Sequence, residues 1–175
     1  RLVTLCYFDT LKEAAQGVNN VINALIVPST LDLLDKNTLE TIEKYNPTGL
    51  LTDKEAALLI EIDGSSAKIK EDNEKLYDVL QKSGASKIIQ SRDEEENEKI
   101  WKARRSAYAA VTKLKPNVAT EDVVVNRSKI VPLIEGIQEI CKKYNMTVCI
   151  MGHAGDGNIH PNFALDLENE EEKKN

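Results

Sequence analysis

The sequence is poor in the residues that most often announce chemistry. It has only two histidines, His153 and His160, one tryptophan, Trp101, and three cysteines, Cys6, Cys141 and Cys149. Each cysteine lies in apolar sequence and their number is odd, so they read as reduced, buried small hydrophobes of a cytoplasmic protein and not as a disulfide framework. No apolar run approaches the roughly 18 residues of a membrane span, and no signal peptide is visible. No basic patch interrupts a chain of net charge −6, so nucleic acid and anionic membranes are not expected partners. No Gly-x-Gly-x-x-Gly turn follows a strand-like run, which removes the usual cradle for a dinucleotide phosphate.

What is present is a chain of 175 residues, enough for one domain with a real core. Leu2 to Asp9 reads as a strand. Thr10-Leu-Lys-Glu13 is a capping box opening a helix to about Leu25. Ser29 to Leu34 reads as a second strand, Asn37 opens a short helix to Tyr45, and Asn46-Pro47-Thr48-Gly49 breaks the pattern. Ala56 to Asp63 is a nearly unbroken apolar strand, and a long helix follows to Ser83. Ser86 to Gln90 is a strand, Asp93 starts a helix to about Leu114, and Glu121 to Val125 is another strand. Ser128 caps a helix whose apolar positions Ile130, Ile134, Ile137, Cys141 and Tyr144 keep helical spacing. Strands alternating with helices suit a parallel sheet on pattern alone. The preferred reading is α+β: an antiparallel sheet of ferredoxin-like halves with helices packed on one face.

The most informative stretch is Gly152 to Phe163, between the apolar runs Met146–Met151 and Phe163–Leu167. Asp156-Gly157 is a strong two-residue hairpin signal, because a type I′ turn needs positive φ at both central positions. With that turn, Gly155 faces Asn158 and His153 faces His160. The two imidazoles then share one side of the sheet, and Asn162 joins them two residues later. Two histidines on one face, in a turn with Asp, Asn and glycines, suit a shared metal ion. A closed structural zinc site usually needs four ligands, so a third would come from elsewhere. Asp156 suits the turn better than the metal, with Asn158 supporting the loop through side-chain hydrogen bonds. An EF-hand is a poor alternative, since Asp156-Gly157-Asn158 lacks the other oxygen ligands and the closing Glu at the required offset.

On the helix after Asp93, Ile100, Ala103, Ala107, Ala110 and Leu114 form an apolar face. Trp101, Arg104, Arg105 and Tyr108 form an adjacent one. An arginine beside an aromatic grips a carboxylate well, because its planar fork binds bidentately. The plain alternative is a solvated basic strip with Trp101 at the core edge. The acidic runs at Asp93–Glu96 and Glu168–Glu172 read as a favourable helix N-terminus and a solvated tail.

The pattern His153-x-Gly155-Asp156-Gly157-Asn158-x-His160 resembles the signature of the C-terminal domain of FAD-linked oxidases. These are the flavoenzymes of the glycolate oxidase D subunit, D-lactate dehydrogenase and D-2-hydroxyglutarate dehydrogenase type. The resemblance implies an α+β substrate-binding (cap) domain over residues 1–175. It implies that His153 and His160 ligate a divalent metal (zinc, manganese or iron), and that Asn162 touches a small 2-hydroxy-acid substrate. Trp101-Lys102-Ala103-Arg104 resembles the family's substrate-anion element, which makes Arg104 the choice for the substrate carboxylate, with Tyr108 and Arg105 behind it. Asp122 matches an acidic position at the start of the next strand. Thr120 stands where relatives that use dicarboxylates have a Lys, which favours a small monocarboxylate.

The resemblance further implies an FAD-binding domain before this region. It also implies a Glu-His-Gly element after it that supplies the third metal ligand and the base, and an electron-transfer flavoprotein or iron–sulfur subunit as electron acceptor. The start at Arg1 and the Glu/Lys-rich end fit a piece of a longer protein, one that folds but does not catalyse alone. A non-catalytic ferredoxin-like module binding a metabolite or subunit is the alternative of another class. A His-pair hydrolase is weaker, since no nucleophile accompanies the histidines.

Overall fold

The first strand, β1 (Leu2–Phe8), is buried at nearly every position and so must be covered on both sides. The computed structural model describes residues 1–170, so the Glu168–Glu172 tail lies only partly within it. Thr10 opens α1 (Leu11–Asn23) as the capping box predicts: its hydroxyl accepts the Glu13 N–H at 3.1 Å and donates to the Glu13 carboxylate at 2.8 Å. After β2 (Thr30–Asp35), α2 (Lys36–Tyr45) is capped by Asp35, slightly before the expected Asn37, because the Asp35 carboxylate accepts the Thr38 N–H. Then follow β3 (Ala56–Ile62), α3 (Ser66–Lys82) and β4 (Lys87–Gln90). Gly84, after α3, has φ +90°, a helix stop that glycine adopts without strain.

These four strands pair antiparallel in the order β4-β1-β3-β2, the ferredoxin-like arrangement with α2 inserted. Next come α4 (Glu94–Val111), β5 (Asn117–Thr120) and β6 (Val123–Val124), which replace the single strand expected at Glu121–Val125. A 3₁₀ turn capped by Asn126, not Ser128, leads into α5 (Ile130–Lys143), followed by β7 (Thr147–His153) and β8 (Asn158–Leu165). The second half extends the same sheet as β2-β7-β8-β5, with β6 also on β8.

The α+β class and the antiparallel sheet hold; the expectation that the helices pack on one face does not. Helices α1, α3 and α5 cover Cys6, Phe8, Leu58, Ile60, Val148 and Ile150 on one face. On the other, α2 and α4 cover Val3, Leu5, Tyr7, Leu59 and Met151. Central strands that are apolar at consecutive positions bury both faces, so a single helical layer would leave one row of side chains in water.

The halves meet where β2 pairs β7 through Asp32↔His153, Leu33↔Gly152 and Leu34↔Met151. Helix α4 crosses the α2 side of the sheet and reaches this seam.

Candidate functional site at the seam between the two halves

The hairpin differs from the sequence reading. His153 pairs with Asn158, and Ala154 to Gly157 form the loop, so Asp156-Gly157 is not a two-residue type I′ tip. Successive turns are closed by Asp156 N–H to the His153 carbonyl at 3.1 Å and Gly157 N–H to the Ala154 carbonyl at 3.3 Å. Tertiary bonds outcompete the tight turn: the Gly155 N–H donates to the Leu31 carbonyl, and the Gly157 carbonyl accepts the Val125 N–H. Within this loop only Gly157 has positive φ, +75°.

This slips the expected register by two residues, and a slip of two preserves the face. His160 now pairs with Met151, one pleat from His153, and the rings meet edge to face with centroids 5.4 Å apart. Asn162 pairs with Cys149 on the same face. It is 2% exposed, and its amide is engaged: it donates to the carbonyls of Cys149 and His160 and accepts the Thr120 hydroxyl at 2.9 Å. That places Asn162 beneath the site, holding β5 and β8 in register.

Each imidazole has a carboxylate at its Nδ1. His153 is 2.7 Å from Asp32 and His160 is 3.1 Å from Asp122. Asp32 is buried at 2% exposure, whereas Asp122 is 70% exposed. The second oxygen of Asp32 accepts the Nε–H of Arg104 at 2.8 Å, and Arg104 Nη1 lies 3.3 Å from the Met151 sulfur. Arg104 and His153 are therefore brought together by Asp32, a residue that the motifs in the sequence do not single out. The one signal for Asp32 in the sequence is an acid inside the largely apolar strand Thr30-Leu-Asp-Leu-Leu-Asp.

The rest of the α4 face divides. Trp101 is tucked against the sheet and donates to Glu61 at 2.6 Å. Arg105 pairs with the exposed Glu98 at 2.7 Å, away from the seam. Tyr108, one turn past Arg104, is half exposed. A cavity of about 510 Å³ opens on the other side of His153, lined by Ile22, Ile26, Val27, Pro28, Leu31 and Asp156 among others, with no lysine or arginine in its wall.

The donor set tests whether a metal ion suits the site. An imidazole whose Nδ1–H is held by a carboxylate presents Nε2 with its lone pair, the arrangement found behind metal-bound histidines. The side-chain oxygen of Asn158, opposite His153, is buried without a hydrogen-bond partner, so the expected loop-supporting bonds from Asn158 are not made. Among the described residues no group of three or more His, Cys, Asp or Glu side chains is placed to hold an ion. The described residues therefore do not form a closed metal site by themselves. The cysteines take no part: all three are buried and burial raises their pKa, that of Cys149 to about 12. No helix among the described residues is long and apolar enough to cross a membrane.

A family profile described as "FAD linked oxidases, C-terminal domain" matches residues 1–175. The chain is 40% identical over 168 residues to glycolate oxidase subunit GlcD of Bacillus subtilis, covering 96% of this chain and 36% of that protein. It is 33% identical over 164 residues to the GlcD subunit of Escherichia coli K12, covering 94% and 33%. It is 26% identical over 175 residues to the mitochondrial D-lactate dehydrogenase [cytochrome] of Arabidopsis thaliana, covering 99% and 30%. The chain therefore spans about a third of the length of these curated relatives. Among solved structures, an alkyldihydroxyacetonephosphate synthase superposes with TM-score 0.73 at 12% identity over 93% of this chain and 36% of that one. A 4-ethylphenol oxidase from Gulosibacter chungangensis gives 0.69 at 14% over 99% and 41%. These two share the fold.

Proposed function

The chain belongs to the family of FAD linked oxidase C-terminal domains, and from that premise we propose that it is the substrate-binding part of a flavoenzyme oxidising a small 2-hydroxy acid to a 2-oxo acid. The relatives at 40% and 33% identity are named glycolate oxidase subunits. The observation that carries the reading is the seam itself: one buried carboxylate, Asp32, holds both Arg104 and His153, with His160 beside them.

In this reading Arg104 binds the substrate carboxylate. Its Nε is engaged by Asp32 and its Nη1 lies 3.3 Å from the Met151 sulfur, so Nη2 and the second Nη1–H are the donors that would meet an anion. Tyr108 is the second substrate contact. His153 and His160 present Nε2 toward the substrate's hydroxyl, or hold a divalent ion there. Such an ion, when bound, would lower the hydroxyl pKa as a Lewis acid. FAD, which would be held outside this chain, would supply the hydride acceptor, and an electron-transfer flavoprotein or iron–sulfur subunit would be its electron acceptor. Thr120, where relatives that use dicarboxylates have a Lys, favours a monocarboxylate over a substrate with a second carboxylate. The base and a third metal ligand are assigned to residues outside this chain. The cytoplasmic reading rests on the three reduced cysteines.

The test is anaerobic addition of glycolate, D-lactate and D-2-hydroxyglutarate, separately, to the complete protein carrying this chain. Bleaching of flavin absorbance by a monocarboxylate, lost with a chelator, is expected. A protein without flavin, or one bleached by none of these acids, overturns the proposal.

A further inference from the structure

We propose that Asp32 is a positioning residue for the site, setting the tautomer of His153 and the orientation of Arg104 with a single carboxylate. The proposal rests on the 2-hydroxy-acid reading above and adds a residue to it.

Asp32 is the point where three elements converge. Its backbone is on β2, its Oδ1 lies 2.7 Å from His153 on β7, and its Oδ2 accepts from Arg104 on α4 at 2.8 Å. An ionised carboxylate only accepts hydrogen bonds. A neutral His153 then carries its proton on Nδ1, which leaves the Nε2 lone pair on the opposite edge of the ring. The same carboxylate uses up the Nε–H of Arg104, while Nη1 lies 3.3 Å from the Met151 sulfur, so the guanidinium is held between β2 and β7.

Asp122 makes a similar approach to His160, at 3.1 Å, but it is 70% exposed against 2% for Asp32. Water competes for an exposed pair and leaves it worth little, while a buried, fully bonded carboxylate has no alternative partner. The two histidines are therefore held unequally, and the control lies with Asp32. A purely structural ion pair would explain Arg104–Asp32 alone. It would not explain why the second oxygen is directed at a half-exposed imidazole on another strand.

The test is Asp32→Asn in the complete flavoprotein. Asparagine has one acceptor oxygen and one amide donor. If the oxygen stays with Arg104, the NH₂ group faces His153 and drives its proton to Nε2. The expected result is a fall in kcat/KM of about 10- to 100-fold, larger than that of Asp122→Asn. In a His153→Ala background Asp32→Asn lowers residual kcat no further, and in an Arg104→Ala background it leaves KM where it was. Full multiplicative losses in both backgrounds, or lost thermal stability with unchanged kinetics, would reduce Asp32 to a structural ion pair.

If the Asn variant does not fold, selective ¹⁵N-histidine labelling of the wild type reads the tautomer directly. Protonation of His153 at Nδ1 supports the proposal, and protonation at Nε2 overturns it. Should His153→Ala leave turnover intact, the 2-hydroxy-acid reading of the site fails, while the tautomer measurement still decides whether Asp32 sets the ring.

Discussion

His153 and His160 stand one pleat apart on neighbouring strands, their rings crossing at 86° with centroids 5.4 Å apart. Neither is the other's cross-strand partner: His153 pairs with Asn158 and His160 with Met151. Their meeting depends on the face they share, set by the parity of the hairpin, and on carboxylates that hold each ring at Nδ1. A hairpin longer or shorter by one residue would send one imidazole to the opposite face.

If the pair acts on the substrate hydroxyl, directly or through an ion, His160→Ala in the complete protein should lower kcat/KM by about two factors of ten or more, the scale of several kcal/mol of charge stabilisation. The protein should still fold, since His160 is partly exposed near the hairpin end of β8 and lies outside the buried apolar core. Steady-state kinetics with isothermal titration of a divalent ion checks both halves of the claim. Intact turnover would remove the pair from the mechanism.

This site was legible in part for identifiable reasons. Local chemistry showed through: the Thr10–Glu13 capping box and the shared face of His153, His160 and Asn162 follow from short-range rules. What stayed hidden depends on partners distant in sequence. Asp32 acquires meaning only from Arg104, 72 residues on, and His153, 121 residues on. The hairpin turn was misread because Gly155 and Gly157 bond to Leu31 and Val125, which no local turn rule contains. Strand β5 was missed because its four residues, intermediate to exposed, carry no alternation. The second helical layer was misjudged because burial of both sheet faces is a property of the assembled strands.

Arg104 and Arg105 are adjacent in sequence and divided by the structure, which gives a paired test. Arg104→Lys loses the Nε bond to Asp32 and the forked grip on an anion, and a charged hydrogen bond is worth about 1.5–3 kcal/mol. KM for the hydroxy acid should rise about 10- to 100-fold. Arg105→Lys keeps its charge beside the exposed Glu98 and should change KM by less than about twofold. Equal effects of the two substitutions would disqualify Arg104 as the anion contact.

The hairpin glycines are set by contact distance. A Cβ on Gly152 would lie 2.4 Å from the Asn158 carbonyl oxygen, and one on Gly157 would lie 2.0 Å from that of Val125. Both neighbours are backbone, so β7 and β8, or the loop and β6, must separate. Gly152→Ala and Gly157→Ala should each destabilise by more than about 1 kcal/mol, with the added strain of φ +75° at Gly157. Gly136, inside α5, has nothing within 4 Å of a new Cβ, so Gly136→Ala should stabilise by about 0.5–1 kcal/mol. Urea denaturation midpoints measure all three, and a stabilising Gly152→Ala would refute the packing of the hairpin.

Two carboxylates should give the pH dependence of stability opposite slopes. For Glu43, burial acts to raise the pKa but is outweighed by the backbone N–H groups of Thr48, Leu50 and Gly49, so the net shift is downward. Its contribution is complete above the unfolded value of roughly 4.3 and is lost as pH falls through the lower folded value. Asp35 is raised, chiefly by burial, against bonds from Thr38, Ile150 and Gln138. The folded state then holds its proton more tightly, so stability falls as pH rises from about 3.9 through the raised folded value. Glu43→Gln should therefore lower the urea midpoint at pH 7, with the gap to wild type closing below about pH 4. Asp35→Asn keeps an acceptor for the Thr38 N–H and should flatten the opposing slope, so that the variant gains on wild type as pH rises through that window. Parallel titration curves for the two variants would show that neither carboxylate is perturbed in the sense assigned to it.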